Sequence, residues 1–316
     1  MPIMAVMSGL CANAAQAVSR ESSSAQRNGQ VKIVSLGGAL AGRLGLIDKA
    51  GDGVAVLSEG TSLSDLAEGR PITLTDRIAL DEAVLDAPLI PGSRIICVGL
   101  NFFSHAKEVG QAAPQRPAMF SRYPSSFVGP GQDIILPSVS AEFDYEVELA
   151  AVIGRAGRHI PETKAMTHIL GFTCLADNSL RDWQTHSRQA FPGKNFDRSG
   201  AIGPWIVTPD EMPPMRDIEL ETFVNGVRRQ HGDCGDLIFS LDHCLSYISS
   251  FMTLQPGDVI ALGTPPGVAS GKDNPQWLKD GDLVELRISG IGSLRNTVKA
   301  ERREKVSEVC EVGKVS

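Results

Sequence analysis

The chain has 316 residues, 42% hydrophobic and 21% charged, with a formal net charge of −7. That is enough apolar material for a large core and excludes global disorder. An acidic balance without any basic stripe excludes a nucleic-acid footprint, and no stretch reaches the length of a membrane span.

Residues 1–30 open with a weakly apolar run that lacks the positive charge expected ahead of a secretory signal, and continue Ser-rich,. They read as a disordered extension. Regular structure is expected from Val31, with short strands at 31–35, 43–47 and 54–57 separated by glycine turns,. Ser62 is placed to cap a helix over 62–68, and 76–86 reads as a second helix. Together 31–90 form a small N-terminal β-rich domain that ends in a Pro-Leu-Ile-Pro linker. The run 94–98 is a buried strand, and 101–109 a short helix or ordered loop. The Pro- and Ala-rich stretch 111–117 is a flexible joint. A strand follows at 145–152, a helix at 162–169, a strand at 170–175 and a helix at 179–188. Later elements are a strand at 220–224 with a hairpin turn at Asn225-Gly226, a helix at 241–251, and strands at 259–262 and 283–288. Strands outnumber helices and no βαβ rhythm repeats, so the fold class is a β-rich α+β fold. Residues 301–316 read as a polar tail. Six cysteines are scattered without a Cys-x-x-Cys pair, the pattern of reduced thiols in a cytoplasmic protein,.

The chemistry concentrates in Asp144-Tyr145-Glu146-Val147-Glu148-Leu149. Side chains alternate along a strand, so Asp144, Glu146 and Glu148 share one face. A row of like charges needs a cation, and a hard divalent ion with oxygen ligands suits it. A solvated acidic face explains the row equally well. Asp177 closes a strand and opens a helix, which makes it either a cap or a further ligand. His105 and Glu108 lie three apart on a helical turn, where the carboxylate can orient the imidazole as a general base. The Pro-rich flank would let the pair move as a lid. The remaining histidines have no metal-ligand spacing. Lys194, after Gly193, could hold a substrate carboxylate, and Thr264 in Gly-Thr-Pro-Pro-Gly could do the same.

Across about 31–298 the chain resembles the fumarylacetoacetate hydrolase superfamily. The matching pieces are Cys-Val-Gly-Leu-Asn at 97–101 with His105 and Glu108, Asp-Tyr-Glu-Val-Glu-Leu at 144–149, and Ala-Asp-Asn-Ser-Leu-Arg-Asp-Trp-Gln at 176–184. Gly-Lys at 193–194, Val-Asn-Gly at 224–226, Pro-Gly-Asp at 256–258 and Gly-Thr-Pro at 263–265 follow in order. The resemblance implies a mixed β-sandwich roll over a catalytic domain at 91–300, beside the small N-terminal domain, and usually a homodimer. It implies one Mg2+ or Mn2+ per subunit on Glu146, Glu148 and Asp177. It also implies His105 as base, oriented by Glu108, with Lys194, Gln184 and Thr264 near substrate. Arg122 stands where many relatives have Lys, so it too is expected at the substrate. Ala176 replaces a frequent Asn, and Phe102 a frequent Tyr.

The expected activity is hydrolytic C–C cleavage of an acylpyruvate-type β-diketo acid through a metal-stabilised enolate. The same site could decarboxylate oxaloacetate, tautomerise, isomerise or hydrate a hydroxymuconate-like diacid, or cleave a diketo sugar acid. The reading from another class is a relative that binds metal without turnover.

Overall fold

The computed structural model describes residues 32–302. The extension at 1–30 and most of the polar tail lie outside that range. The described chain begins with β1 (Lys32–Leu36), β2 (Leu44–Ile47), β3 (Gly53–Leu57), helix α1 (Leu63–Ala67), β4 (Leu74–Ala79) and β5 (Leu85–Asp86). Next come β6 (Ile95–Gly99), α2 (Phe103–Glu108), β7 (Ala118–Arg122), β8 (Phe127–Val128), β9 (Ile134–Leu136) and β10 (Phe143–Asp144). Then follow β11 (Val147–Ile153), β12 (Ile169–Ala176), β13 (Ser179–Leu180), α3 (Arg181–Gln184), α4 (Phe191–Lys194) and β14 (Gly200–Val207). The last are β15 (Glu219–Val224), β16 (Val227–Asp233), α5 (Leu241–Phe251), β17 (Val259–Ala261), β18 (Leu283–Ile288) and β19 (Gly292–Ala300).

A mixed sheet of 12 strands has the main path β4-β3-β2-β1-β14-β12-β11-β17-β6-β7. A second sheet of 5 strands runs β16-β15-β18-β19-β9. Leu149 and Phe172 of the first meet Leu220, Leu286 and Leu294 of the second in one buried cluster, so the sheets form a sandwich,. The strand-rich α+β class read from the sequence is the one observed. Strand β1 joins β14 directly, so the N-terminal strands extend the same large sheet.

Strand β11 explains where the site lies. It is buried along its whole length. Val147, Leu149, Ala151 and Ile153 enter the sandwich core, while Ala150 and Val152 enter the cluster on the opposite face with Leu63 of α1,. Period two puts Glu148 on that second face. Strand β12 runs antiparallel to β11, β17 also antiparallel to it, and β6 parallel to β17. The start of β11 and the C-terminal ends of β6, β12 and β17 therefore share one edge of the sheet.

Three expected helices differ. Residues 76–86 are instead β4, a turn and β5, because Asp76 and Ile78 pair with Val56 and Val54 of β3. Sheet pairing overrides helical propensity there. Residues 162–168 form a 3-10 helix, which ends where Ile169 enters β12. In 179–188 only Arg181–Gln184 is helical, since Ser179 and Leu180 are held by antiparallel pairing to β10. Two local readings hold. Ser62 forms a reciprocal capping box with Asp65,. Asn225 and Gly226 turn the β15–β16 hairpin with φ of 52° and 76°. Among the described residues, no helix is long and apolar enough to cross a membrane.

Candidate metal and acid–base site

Glu146 precedes β11, Glu148 is its second residue, and Asp177 follows β12. The Asp177 N–H donates to the Glu146 carbonyl at 2.9 Å, which fixes the two strand ends side by side. One carboxylate oxygen from each of the three residues lies within 4.8 Å of the others, and all three residues are buried. Like charges so close and so dry repel, and three cationic side chains answer them. Lys194 Nζ donates to Glu146 Oε2 at 2.9 Å and to Asp177 Oδ2 at 2.6 Å. Arg181 Nη2 lies 2.6 Å from Glu146 Oε1, and its Nε donates to Asp144 Oδ2 at 2.8 Å. Arg122 Nη1 donates to Asp177 Oδ1 at 2.8 Å.

Glu148 differs. Its Oε2 accepts the Gly263 backbone N–H at 2.9 Å, and among the described residues no cationic side chain pairs with it. Burial pushes all three carboxyls up. At Glu146 the Lys194 and Arg181 charges outweigh burial and hold it down at about 2. At Asp177 burial prevails over Lys194 and Arg122, and the carboxyl is raised. At Glu148 burial, then repulsion from Asp177 and Glu146, drives it well above its ordinary value. The trio thus lacks positive charge on the Glu148 side. A divalent ion supplies that charge, and an all-carboxylate donor set suits Mg2+ or Mn2+ over softer metals. The residues present fit such an ion.

His105 and Glu108 sit on α2, just past the end of β6. Leu100 makes the turn with φ of 47°, a sparsely allowed conformation for a residue with a side chain,. Asn101 anchors it, donating to the Leu262 carbonyl at 2.9 Å and accepting the Phe239 N–H at 2.8 Å. His105 Nδ1 lies 2.9 Å from Glu108 Oε2. A carboxylate only accepts, so Nδ1 carries the proton and Nε2 is the basic nitrogen. The second oxygen of Glu108 accepts the Gly267 N–H at 2.8 Å, which latches the helix to the loop after β17.

These parts surround one cleft of about 400 Å³. His105, Glu146, Glu148, Asp177, Lys194, Gln184 and Thr264 all line it. Glu108 stands behind His105. Arg122, expected at the substrate, does not line the cleft. Its side chain is fully buried and bonds Asp177, Ser126 and Ser199. Asp144, which the sequence puts on the same face as Glu146 and Glu148, is joined to Glu146 through Arg181 and accepts the Ala269 and Ser270 N–H groups.

Two residues escaped sequence reasoning. Arg181 lies inside the quoted 176–184 run, and Asp144 needing a partner was its only signal. Gln230, in the middle of β16, ties Val147 to Thr264 across the sandwich and left no local signal at all.

The fumarylacetoacetate (FAA) hydrolase C-terminal profile matches residues 94–299. The mitochondrial oxaloacetate tautomerase FAHD2A of Homo sapiens is 40% identical over 219 residues, covering 69% of this chain and 70% of that protein. Fumarylacetoacetate hydrolase from psychrophilic Exiguobacterium antarcticum superposes with a TM-score of 0.75 at 36% identity, over 86% of this chain and 100% of that one. The 5-carboxymethyl-2-hydroxymuconate delta-isomerase structure from Mycobacterium smegmatis gives 0.71 at 32% identity, over 86% and 100%.

Proposed function

This chain belongs to the fumarylacetoacetate hydrolase family, and on that premise we propose that it is a divalent-metal enzyme that moves a proton on a small 2-oxo diacid, interconverting enol and keto oxaloacetate. One juxtaposition carries the reading: an imidazole backed by a carboxylate opens onto the same cleft as three clustered carboxylates. A relative 40% identical bears the name oxaloacetate tautomerase, which supports the substrate.

Glu146, Glu148 and Asp177 would hold Mg2+ or Mn2+, which when bound supplies Lewis acidity toward the 2-oxo and carboxylate oxygens. The chain's own groups do the rest. His105 Nε2 takes the proton at C3 of the keto form to leave an enolate whose oxygen takes a proton from solvent, and in reverse returns a proton to C3 as the enol hydroxyl gives up its own, while Glu108 fixes the ring,. Lys194 stays charged, because Asp177 and Glu146 outweigh the burial that opposes it. It keeps the trio together and adds positive potential where enolate charge develops. Gln184 gives its Oε1 to Arg181 Nη1 at 3.0 Å, so its NH2 is the end presented to a substrate carboxylate.

The acylpyruvate cleavage expected from the sequence is the second reading. It is favoured by the hydrolase from Exiguobacterium antarcticum at 36% identity, and His105 could equally deprotonate water. The test offers purified protein, with Mg2+ or Mn2+, enol oxaloacetate and acetylpyruvate. Decay of enol absorbance reads tautomerisation, and pyruvate release reads cleavage. The expected result is metal-dependent enol decay that His105→Ala slows by about 10²-fold or more, with Mg2+ affinity little changed. Preferential pyruvate release from acetylpyruvate selects the second reading. No turnover of either substrate with metal present defeats the enzyme assignment.

A further inference from the structure

Behind Thr264 lies a glutamine whose hydrogen-bonding capacity is full. Gln230 is 1% exposed. Its Oε1 accepts from the Val147 N–H at 3.0 Å and from Thr222 Oγ1 at 2.7 Å. Its Nε2 donates to the Pro265 carbonyl at 2.9 Å and to Thr264 Oγ1 at 2.8 Å. Two of these partners have no choice of role. A backbone N–H can only donate, and a carbonyl can only accept. Val147 and Pro265 therefore fix which end of the amide is oxygen. The bond to Thr264 must then run from Gln230 to the threonine oxygen, and the hydroxyl proton of Thr264 must point elsewhere. Among the described residues no protein acceptor takes it, and Thr264 lines the cleft.

We propose that Gln230 is a positioning residue that orients the Thr264 hydroxyl, turning its proton away from the amide and leaving it free to donate to an anionic substrate oxygen. The inference rests on the reading of the cleft as a 2-oxo acid site. It assigns Gln230 a part in specificity, since the Thr264 proton, which the Gln230 amide nitrogen cannot accept, is left for an acceptor on the ligand,. It also links that donor to the carboxylates, because Val147 lies between Glu146 and Glu148. The same amide that orients Thr264 holds the strand that carries the trio.

The test uses oxalate, which carries the adjacent oxygens of a 2-oxo carboxylate and needs no turnover. Its affinity is measured calorimetrically at saturating Mg2+ for wild type, Thr264→Ser, Thr264→Val, Gln230→Glu and the double variant Thr264→Val/Gln230→Glu. Thr264→Ser keeps the donor and should bind within about threefold of wild type. Thr264→Val should weaken binding roughly tenfold to a hundredfold, the worth of a hydrogen bond to a charged group. Gln230→Glu can only accept, so it captures the Thr264 proton and should weaken oxalate at least as much. In the double variant the losses should not add, because both changes remove one donor. For oxaloacetate the Gln230→Glu loss should fall mainly on KM rather than kcat.

Additive losses, or undiminished binding by Thr264→Val, overturn the proposal while leaving the 2-oxo acid reading intact. Absence of oxalate binding by the wild type overturns both. Should Gln230→Glu not fold, Gln230→Met carries the same cycle, with the same requirement that its loss vanish in the Thr264→Val background.

Discussion

Single charges in this protein take their character from what surrounds them, and the surroundings differ sharply between neighbours. Glu285 on β18 accepts hydrogen bonds from Arg287 at 2.9 Å and, across on β19, from Arg295 at 2.9 Å. The Arg287 bond and the Arg295 bond together outweigh burial and bring the carboxyl from 4.5 down to about 2. Its ionised form therefore stabilises the fold. That contribution is complete above the unfolded value and is lost as pH falls through about 2. Denaturation of wild type and Glu285→Gln should show a stability gap that is constant above about pH 5.5 and narrows from about 4.5 toward 2. A gap that stays constant down to the lowest pH would rule the linkage out. At the site itself, alternation and a strand end are local signals that single out Glu146, Glu148 and Asp177, while it took the family motifs to join them into one ligand set. Arg181 and Gln230 were not legible in sequence. Their roles come from partners such as Asp144 and Val147, distant along the chain, and nothing in their own neighbourhood marks them.

A helix of six residues cannot hold itself in water, so α2 depends on its attachments. Ser104 bonds Asp236, Asn101 bonds Phe239 and Leu262, and Glu108 bonds the Gly267 N–H. Gly267 is the sensitive point. It has φ of 107°, and a Cβ there would sit 2.3 Å from the Arg229 carbonyl oxygen,. Gly267→Ala should shift the loop, release Glu108 and misplace His105. We expect kcat to fall about tenfold to a hundredfold, with Mg2+ affinity within about threefold of wild type. An unchanged kcat would show that the latch does not position His105. Elements followed the sequence where local patterning and tertiary pairing agreed, as in α5 and the Asn225-Gly226 hairpin. They departed where a strand partner lay far off. Nothing within 76–86 announces that Val54 and Val56 will pair with it.

For the whole molecule, the charge deficit at Glu148 predicts that a divalent ion will raise stability. A ligand at a hundredfold its Kd adds about 2.7 kcal/mol, and in a chain this long each kcal/mol raises Tm by roughly 2–4 °C. Mg2+ or Mn2+ should therefore raise Tm by roughly 5–10 °C over EDTA-treated protein, and Glu148→Gln should abolish most of that rise. An equal rise in the variant would place the ion elsewhere. The large sheet carries a further consequence, one that concerns the ribosome. Lys32 and Ile33 of β1 find their partners in Val207 and Ile206 of β14. At about 5–20 residues per second, synthesis separates the two by roughly 9–35 s. Through that interval the nascent chain carries an open strand edge, the kind of surface on which chains join one another wrongly. Strand β5 covers Ser35 and Leu36 early, so the exposure falls on Lys32 and Ile33 until β14 emerges.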